Sequence, residues 1–338
     1  MTESRLVNYS IIFMGVALLG VVLQTFQVVM RPFAIAILLV FIFTPLAEYS
    51  KRKGVPVWLT FLALFLVAGG LLSLVSSFIT TDNFDLAGAI PRYQEKISQG
   101  SGPVLEMMSR FGFGLESISA DDIGKLAASG ARAGLGAIRT MFSETLLALI
   151  LLMFILQSRS GLFGAVESKH GADAVARLEE TFKKIQSDII AYFSTKALMS
   201  LGTALLTLVV LLLFGAKFIA ISALLIFLLN FIPIVGSFIA VLVVAVLYIV
   251  TFGLSGNVGW LLLALMAVQI LFGNILEPKL AGKRLNMSPI VILISLYVWG
   301  WIWGVVGMFL SVPLTIMILI VVRHIRSREK PADVAAQV

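Results

Sequence analysis

The residues able to do chemistry are few, and they lie at the edges of apolar sequence. Glu48, Glu144, Asp188, Lys196, Lys217 and Glu277 are the ionisable residues closest to the long hydrophobic runs. Proton or sodium coupling inside a membrane uses carboxylates near the midplane. Only Glu277, beside Pro278, is placed for that work. Lys196 either snorkels to the interface or faces an internal cavity. Amides are better represented, at Gln24, Gln27, Asn230, Gln269 and Asn274. Buried amides can hydrogen-bond a neutral polyhydroxylated solute without the desolvation cost of a charge. They can equally satisfy backbone freed where a helix breaks. Trp299, Trp301 and Trp303 offer rings that stack on a sugar-like solute or anchor at the interface.

Other chemistries are excluded by what is missing. Cysteine is absent, and the only histidines, His170 and His324, are far apart in polar segments. That leaves no disulfide framework and no metal-ligand set. No histidine lies in an apolar run, so an intramembrane serine hydrolase lacks its base. Gly112 and Gly114 lack the third glycine and the preceding strand of a phosphate loop. Neither an enzyme activity nor a cofactor is expected.

The elements that position these residues are membrane helices. Of the 338 residues 59% are hydrophobic and 13% charged, against about 25% charged in a soluble domain. The net charge of +7 lies mostly in short loops between apolar runs. It therefore reads as a topology signal and not as a nucleic-acid surface.

Two stretches depart from plain spans. Residues 269–313 are almost wholly apolar, yet Asn274, Glu277, Pro278, Lys279, Lys283, Arg284, Pro289 and Pro313 interrupt them. Pro278 lacks an N–H and disfavours helix at Glu277. The run 290–322 exceeds one perpendicular crossing of roughly 20 residues. Gly300, Gly304 and Gly307 in its middle permit a sharp bend. Two half-length helices joined there, or one long tilted helix, both fit. The second stretch is Asn230-Phe231-Ile232-Pro233-Ile234-Val235-Gly236, which ends a run, 218–229, too short to span as a helix. A second piece, 238–252, follows it. Irregular backbone at membrane depth is tolerated only where protein or a watery cavity covers it. In transporters such breaks mark the substrate site.

Taken in order, 9–30 is longer than a signal-peptide core and reads as a retained first span. Arg31-Pro32 marks a turn with Pro32 opening the next helix. The run 33–47 follows, then Lys51, Arg52 and Lys53, which place that loop in the cytoplasm. A third run covers 57–80, so 1–80 forms an N-terminal set of three spans. Residues 81–140 read as an extramembrane module of short amphipathic helices, either a gate or a packed cap. Its last helix, after Ser119 and Asp122, continues into the fourth span at 142–157. Within the next segment, 141–188, the polar part carries an amphipathic helix at the cytoplasmic face or a soluble linker helix. Residues 189–322 are the transport core, with crossings at 189–214 and 260–275, and 323–338 form a basic cytoplasmic tail. With both termini inside, 290–322 must turn back at its glycines. The fold class is an all-α polytopic membrane protein of about eight membrane-embedded helices, including two broken or re-entrant hairpins.

The second half also resembles a known family. Asn230-Phe231-Ile232-Pro233 with Gly236, then Gly273-Asn274-Ile275-Leu276-Glu277-Pro278, Gly282, Pro289, Trp299-Gly300, Gly304, Gly307 and Val312-Pro313 are similar, in combination and order, to the autoinducer-2 exporter family of bacterial inner-membrane proteins. The resemblance covers nearly the whole chain. It implies export of a small polar organic solute such as the quorum-sensing signal autoinducer-2. It also implies a multi-pass inner-membrane location and a homopentamer in contact with membrane lipid. Some members are sodium(lithium)/proton antiporters, and many relatives carry a glutamate where this chain has Phe272, which counts against cation coupling here. The expected substrate-binding residues are Asn230, Pro233, Gln269, Asn274 and Glu277. The expected hinge or gate residues are Gly236, Pro278, Gly300 and Gly304. A membrane scaffold built on 81–140 is the reading outside transport.

Overall fold

The computed structural model describes residues 3–56, 58–60, 62–63, 65–66, 69–70, 120–216, 219–252, 256–281 and 287–329. The expected module at 81–140 therefore lies outside the described residues up to 119, and so does most of the third apolar run. Among the described residues the protein is all-helical. The named helices are α1 (Glu3–Thr25), α2 (Gln27–Arg52), α3 (Ala120–His170), α4 (Ala172–Leu213), α5 (Ile219–Leu229), α6 (Val235–Phe252), α7 (Gly256–Gln269), a π-helical segment (Ile270–Leu276), α8 (Glu277–Ala281) and α9 (Pro289–Glu329). Four helical stretches are long and apolar enough to cross a bilayer, and a fifth is reached if Ser143–Ser158 and Phe163–His170 form one bent span. The protein is thus a polytopic membrane protein.

The chain divides into two compact units. One holds Met1–Ala68, Thr140–Tyr192 and Arg284–Val338; the other holds Gly69–Arg139 and Phe193–Lys283. In the first unit, Val40, Leu149 and Leu152 form a buried cluster with Phe43, Leu156 and Phe182 packed on it. The Phe41 and Phe182 rings lie 4.7 Å apart, and Gln186 Nε2 donates to the Phe41 carbonyl at 3.1 Å. In α9 the Trp303 indole N–H donates to the Leu23 carbonyl at 3.1 Å. Leu23 is in the last turn of α1, where carbonyls lack helical donors. Trp303 is buried and stacked on Trp299, so it neither anchors at an interface nor stands ready for a solute.

Three boundaries differ from the sequence reading. The first turn comes at Phe26 (φ −94°, ψ 23°), not at Arg31-Pro32. Pro32 sits buried inside α2, where its missing N–H costs one bond near the helix start. The polar stretch before residue 189 is not a separate element. α3 runs 51 residues to His170, Gly171 (φ 79°) interrupts it, and α4 continues for 42 residues into the apolar run. A helix of that length reaches about 63 Å, roughly twice the hydrocarbon thickness. Third, Glu277 is helical (φ −58°, ψ −50°) despite Pro278. The π turns just before it widen the helix, which relieves the clash between the proline ring and the preceding carbonyl.

The two interrupted stretches do break, each with one residue at positive φ. Ile234 has φ 63° between α5 and α6, and Gly304 has φ 64° inside α9. A Cβ on Gly236 would lie 2.8 Å from the Leu229 carbonyl carbon, and one on Gly307 would lie 2.7 Å from that of Trp299. Residues seven or eight apart on a straight helix are about 10–12 Å apart. Each chain segment is therefore sharply folded, and a side chain at Gly236 or Gly307 has no room. In the second unit α5, α6 and α7 close on α4 through Leu211, Ile226, Ala240, Val244, Leu261 and Leu265.

Candidate functional site

The site grows from one face of α4. Lys196, Ser200, Thr203 and Thr207 follow one another at spacings of four, three and four residues, and all are buried. That spacing stacks them on a single helix face. Leu198, Leu201, Leu205, Val209 and Leu212 occupy the other face and are exposed. The apolar face suits lipid, and the polar stripe faces protein.

Three elements meet this stripe. Lys196 Nζ pairs with Glu277 Oε1 at 2.7 Å, with the two side chains 9% and 25% exposed. Asn230, the first residue after α5, donates from Nδ2 to Thr203 Oγ1 at 3.2 Å. Thr203 donates in turn to the Met199 carbonyl at 2.7 Å. A Cβ on Gly202 would lie 2.9 Å from Phe272 Cζ, so the ring rests against the bare backbone of α4.

The π segment explains how Phe272 and Glu277 reach α4 together. In an α-helix five residues put side chains about 140° out of phase. Here the Glu277 N–H bonds to the Phe272 carbonyl, five residues back, and the wider turn brings both onto one face. The pairs 196 with 277 and 202 with 272 set an antiparallel register. Continued three residues further, it brings Gln269 level with the Thr203–Thr207 part of the stripe. Both amide atoms of Gln269 are buried without a hydrogen-bond partner, as is Ser200 Oγ. These groups retain capacity to bind a donor or an acceptor.

Of the residues expected from sequence, Asn230 and Glu277 contact α4, and Gln269 lies in the same unit. Asn274 and Pro278 are exposed. Pro233 and Gly236 are buried in the turn and its following helix. Gly300 and Gly304 belong to the other unit. Sequence reasoning missed Ser200, Thr203 and Thr207, whose signal was their regular spacing in an apolar run. It also missed a second ion pair, Arg31 Nη1 to Glu144 Oε1 at 3.1 Å in the first unit, with side chains 18% and 14% exposed. Arg31 additionally donates to Gln27 Oε1. Among the described residues no three His, Cys, Asp or Glu side chains gather as a metal site.

The chain is similar to known transport proteins. It is 28% identical over 297 residues to the AI-2 transport protein TqsA of Escherichia coli (strain K12), covering 86% of this chain and 84% of the relative. It is 26% identical over 298 residues to a putative transport protein of Haemophilus influenzae, with the same coverage. A putative transport protein of Borreliella burgdorferi is 31% identical over 186 residues, 54% of this chain and 51% of the relative's length. Residues 9–327 match the description of the AI-2E family transporter. That match takes in the whole polar stripe and both helix breaks, and the chain belongs to this family of transporters and not to a family of enzymes.

Proposed function

We propose that this protein exports a small polar organic solute, autoinducer-2 or a close chemical relative, across the bacterial inner membrane. The observation that carries the reading is a buried Lys196–Thr207 polar stripe in the same unit as a buried Gln269 amide that has no partner. A relative 28% identical is named for AI-2 transport, which supports the choice of solute. Gln269, Asn230 and Glu277 are the proposed contacts from the sequence, and Ser200 joins them. Pro233 shapes the turn that presents Asn230, and exposed Asn274 is not counted among the contacts. Gly236 and Gly304 mark the two folded segments, with Gly300 packed on Met308; we read both as re-entrant hairpins, giving about eight membrane-embedded helices. Pro278 permits the π turns to move as a unit with Glu277. Both termini are assigned to the cytoplasm by the positive-inside rule, and the assembly to a homopentamer by family resemblance.

The second reading is cation/proton antiport through Glu277. Its carboxylate already carries the Lys196 ammonium at 2.7 Å, which favours solute export. In a deletion strain the signal should accumulate inside the cell, and complementation should release it. Unchanged accumulation, with no effect of complementation, rejects the assignment. A pH-gradient dye assay in vesicles, with and without Glu277→Gln, tests the antiport reading.

A further inference from the structure

We propose that Lys196 is a tethered monovalent cation. Its ammonium holds the place on Glu277 that a free Na+ or Li+ takes in a cation-coupled carrier, so this chain moves its solute without one. The inference rests on the transport reading above and narrows it.

Lys196 and Glu277 belong to helical stretches that contain an apolar window able to cross the bilayer, Ala172–Leu213 and Gly256–Leu280, and both side chains are largely withdrawn from solvent. A carboxylate so withdrawn is protonated, binds a cation, or is paired. The 2.7 Å contact and the 9% exposure of the Lys196 side chain put the third solution in place. Ser200 Oγ, one turn along α4 from Lys196, is buried with no partner. A carboxylate and a hydroxyl are hard oxygen groups of the kind alkali cations prefer. Lysine suits the role because it is a compact point charge on a flexible stem, which can occupy one lobe of such a site and withdraw.

The thermal arm of the test needs no knowledge of the solute. Thermal unfolding of the purified protein is followed in choline, sodium and lithium chloride at equal ionic strength. Wild type is expected to unfold at the same temperature in all three. Lys196→Met should unfold earlier in choline and recover about 2–4 °C in sodium or lithium. Lys196→Met/Glu277→Gln should be indifferent to the cation. A sodium or lithium response in wild type, or indifference in Lys196→Met, overturns the proposal. Should Lys196→Met be too unstable to purify in choline, its recovery in sodium or lithium decides: folded protein only with the small cation supports the proposal, and none with either overturns it. Efflux of autoinducer-2 from vesicles loaded with it then separates this inference from the transport reading. Wild-type efflux should match within twofold in sodium and choline, and Lys196→Met should fall at least tenfold in choline alone. No efflux from wild type, together with the expected thermal responses, rejects the solute and leaves the tethered cation standing.

Discussion

Gln269→Met should make the protein more stable and a worse exporter. Methionine nearly matches glutamine in length and volume but has no amide. In the native protein both the amide oxygen and nitrogen of Gln269 are buried and unpartnered. Each such atom costs about 1–3 kcal/mol relative to its state in water. Replacing them with an apolar side chain of similar shape removes that cost without opening a cavity. A gain of about 1–3 kcal/mol is expected once the partial exposure of the residue as a whole is allowed for. On the transport side, losing one or two hydrogen bonds to the solute is worth about 1.4 kcal/mol or more, roughly a tenfold fall in kcat/KM. The assays are thermal unfolding in detergent and efflux from loaded vesicles on the same preparation. Lower stability with export unchanged would refute the reasoning, because it would mean the amide serves the fold and not the solute.

Gly202→Ala should cost about 1–3 kcal/mol by pushing the Phe272 ring off α4, and Gly202→Ala/Phe272→Ala should be less unstable than the sum of its single variants by at least about 1 kcal/mol; a simple sum in chemical unfolding refutes the contact. Arg31→Leu or Glu144→Leu alone should each destabilise by about 1–3 kcal/mol, a figure discounted for partial exposure, whereas the double variant should lose less than either. Ile234→Gly should gain about 0.5–1 kcal/mol, because a β-branched residue at φ 63° is strained by more than glycine's added chain entropy. Gly304→Ala should lose about 1–3 kcal/mol for the mirrored reason, and both are read from unfolding midpoints.

Much of the fold is legible in the chain because lipid imposes a strong rule. Long apolar runs must be helices, and a run with Asn230, Pro233 and Gly236 at its end cannot continue as one. The break at Gly304 was legible for the same reason. The turn at Phe26 was not, since phenylalanine carries no turn chemistry and Pro32 nearby drew the boundary to itself. Nor was the union of 172–188 with the following span, because a helix changing from polar to apolar solvent changes composition without changing backbone. The π segment has no residue code that reading a sequence detects; Pro278 suggested an interruption, and widened turns supplied it. Of the candidate site, Asn230, Gln269 and Glu277 stand out in the sequence as polar residues near breaks, yet what each one touches is invisible there. Lys196 and Glu277 meet only because α4 and the π segment run antiparallel, and no local pattern encodes that pairing.

The contacts also sort the polar groups by what they have left to give. Thr203 spends its proton on the Met199 carbonyl and accepts from Asn230. That pair ties the end of α5 to α4, next to the strained turn at Ile234, and the turn needs such a tie because its backbone departs from helix inside apolar sequence. Lys196 and Glu277 neutralise one another. Arg31 does the same for Glu144 while also holding Gln27. These groups hold helices together. Gln269 and Ser200 hold nothing. A buried group that stabilises no contact is a standing cost to the fold, and a ligand that binds it offsets that cost. On the transport reading proposed above, Gln269 and Ser200 are therefore the groups free to take the solute, beside Asn230 and Glu277, whose polar atoms also tie helices to α4.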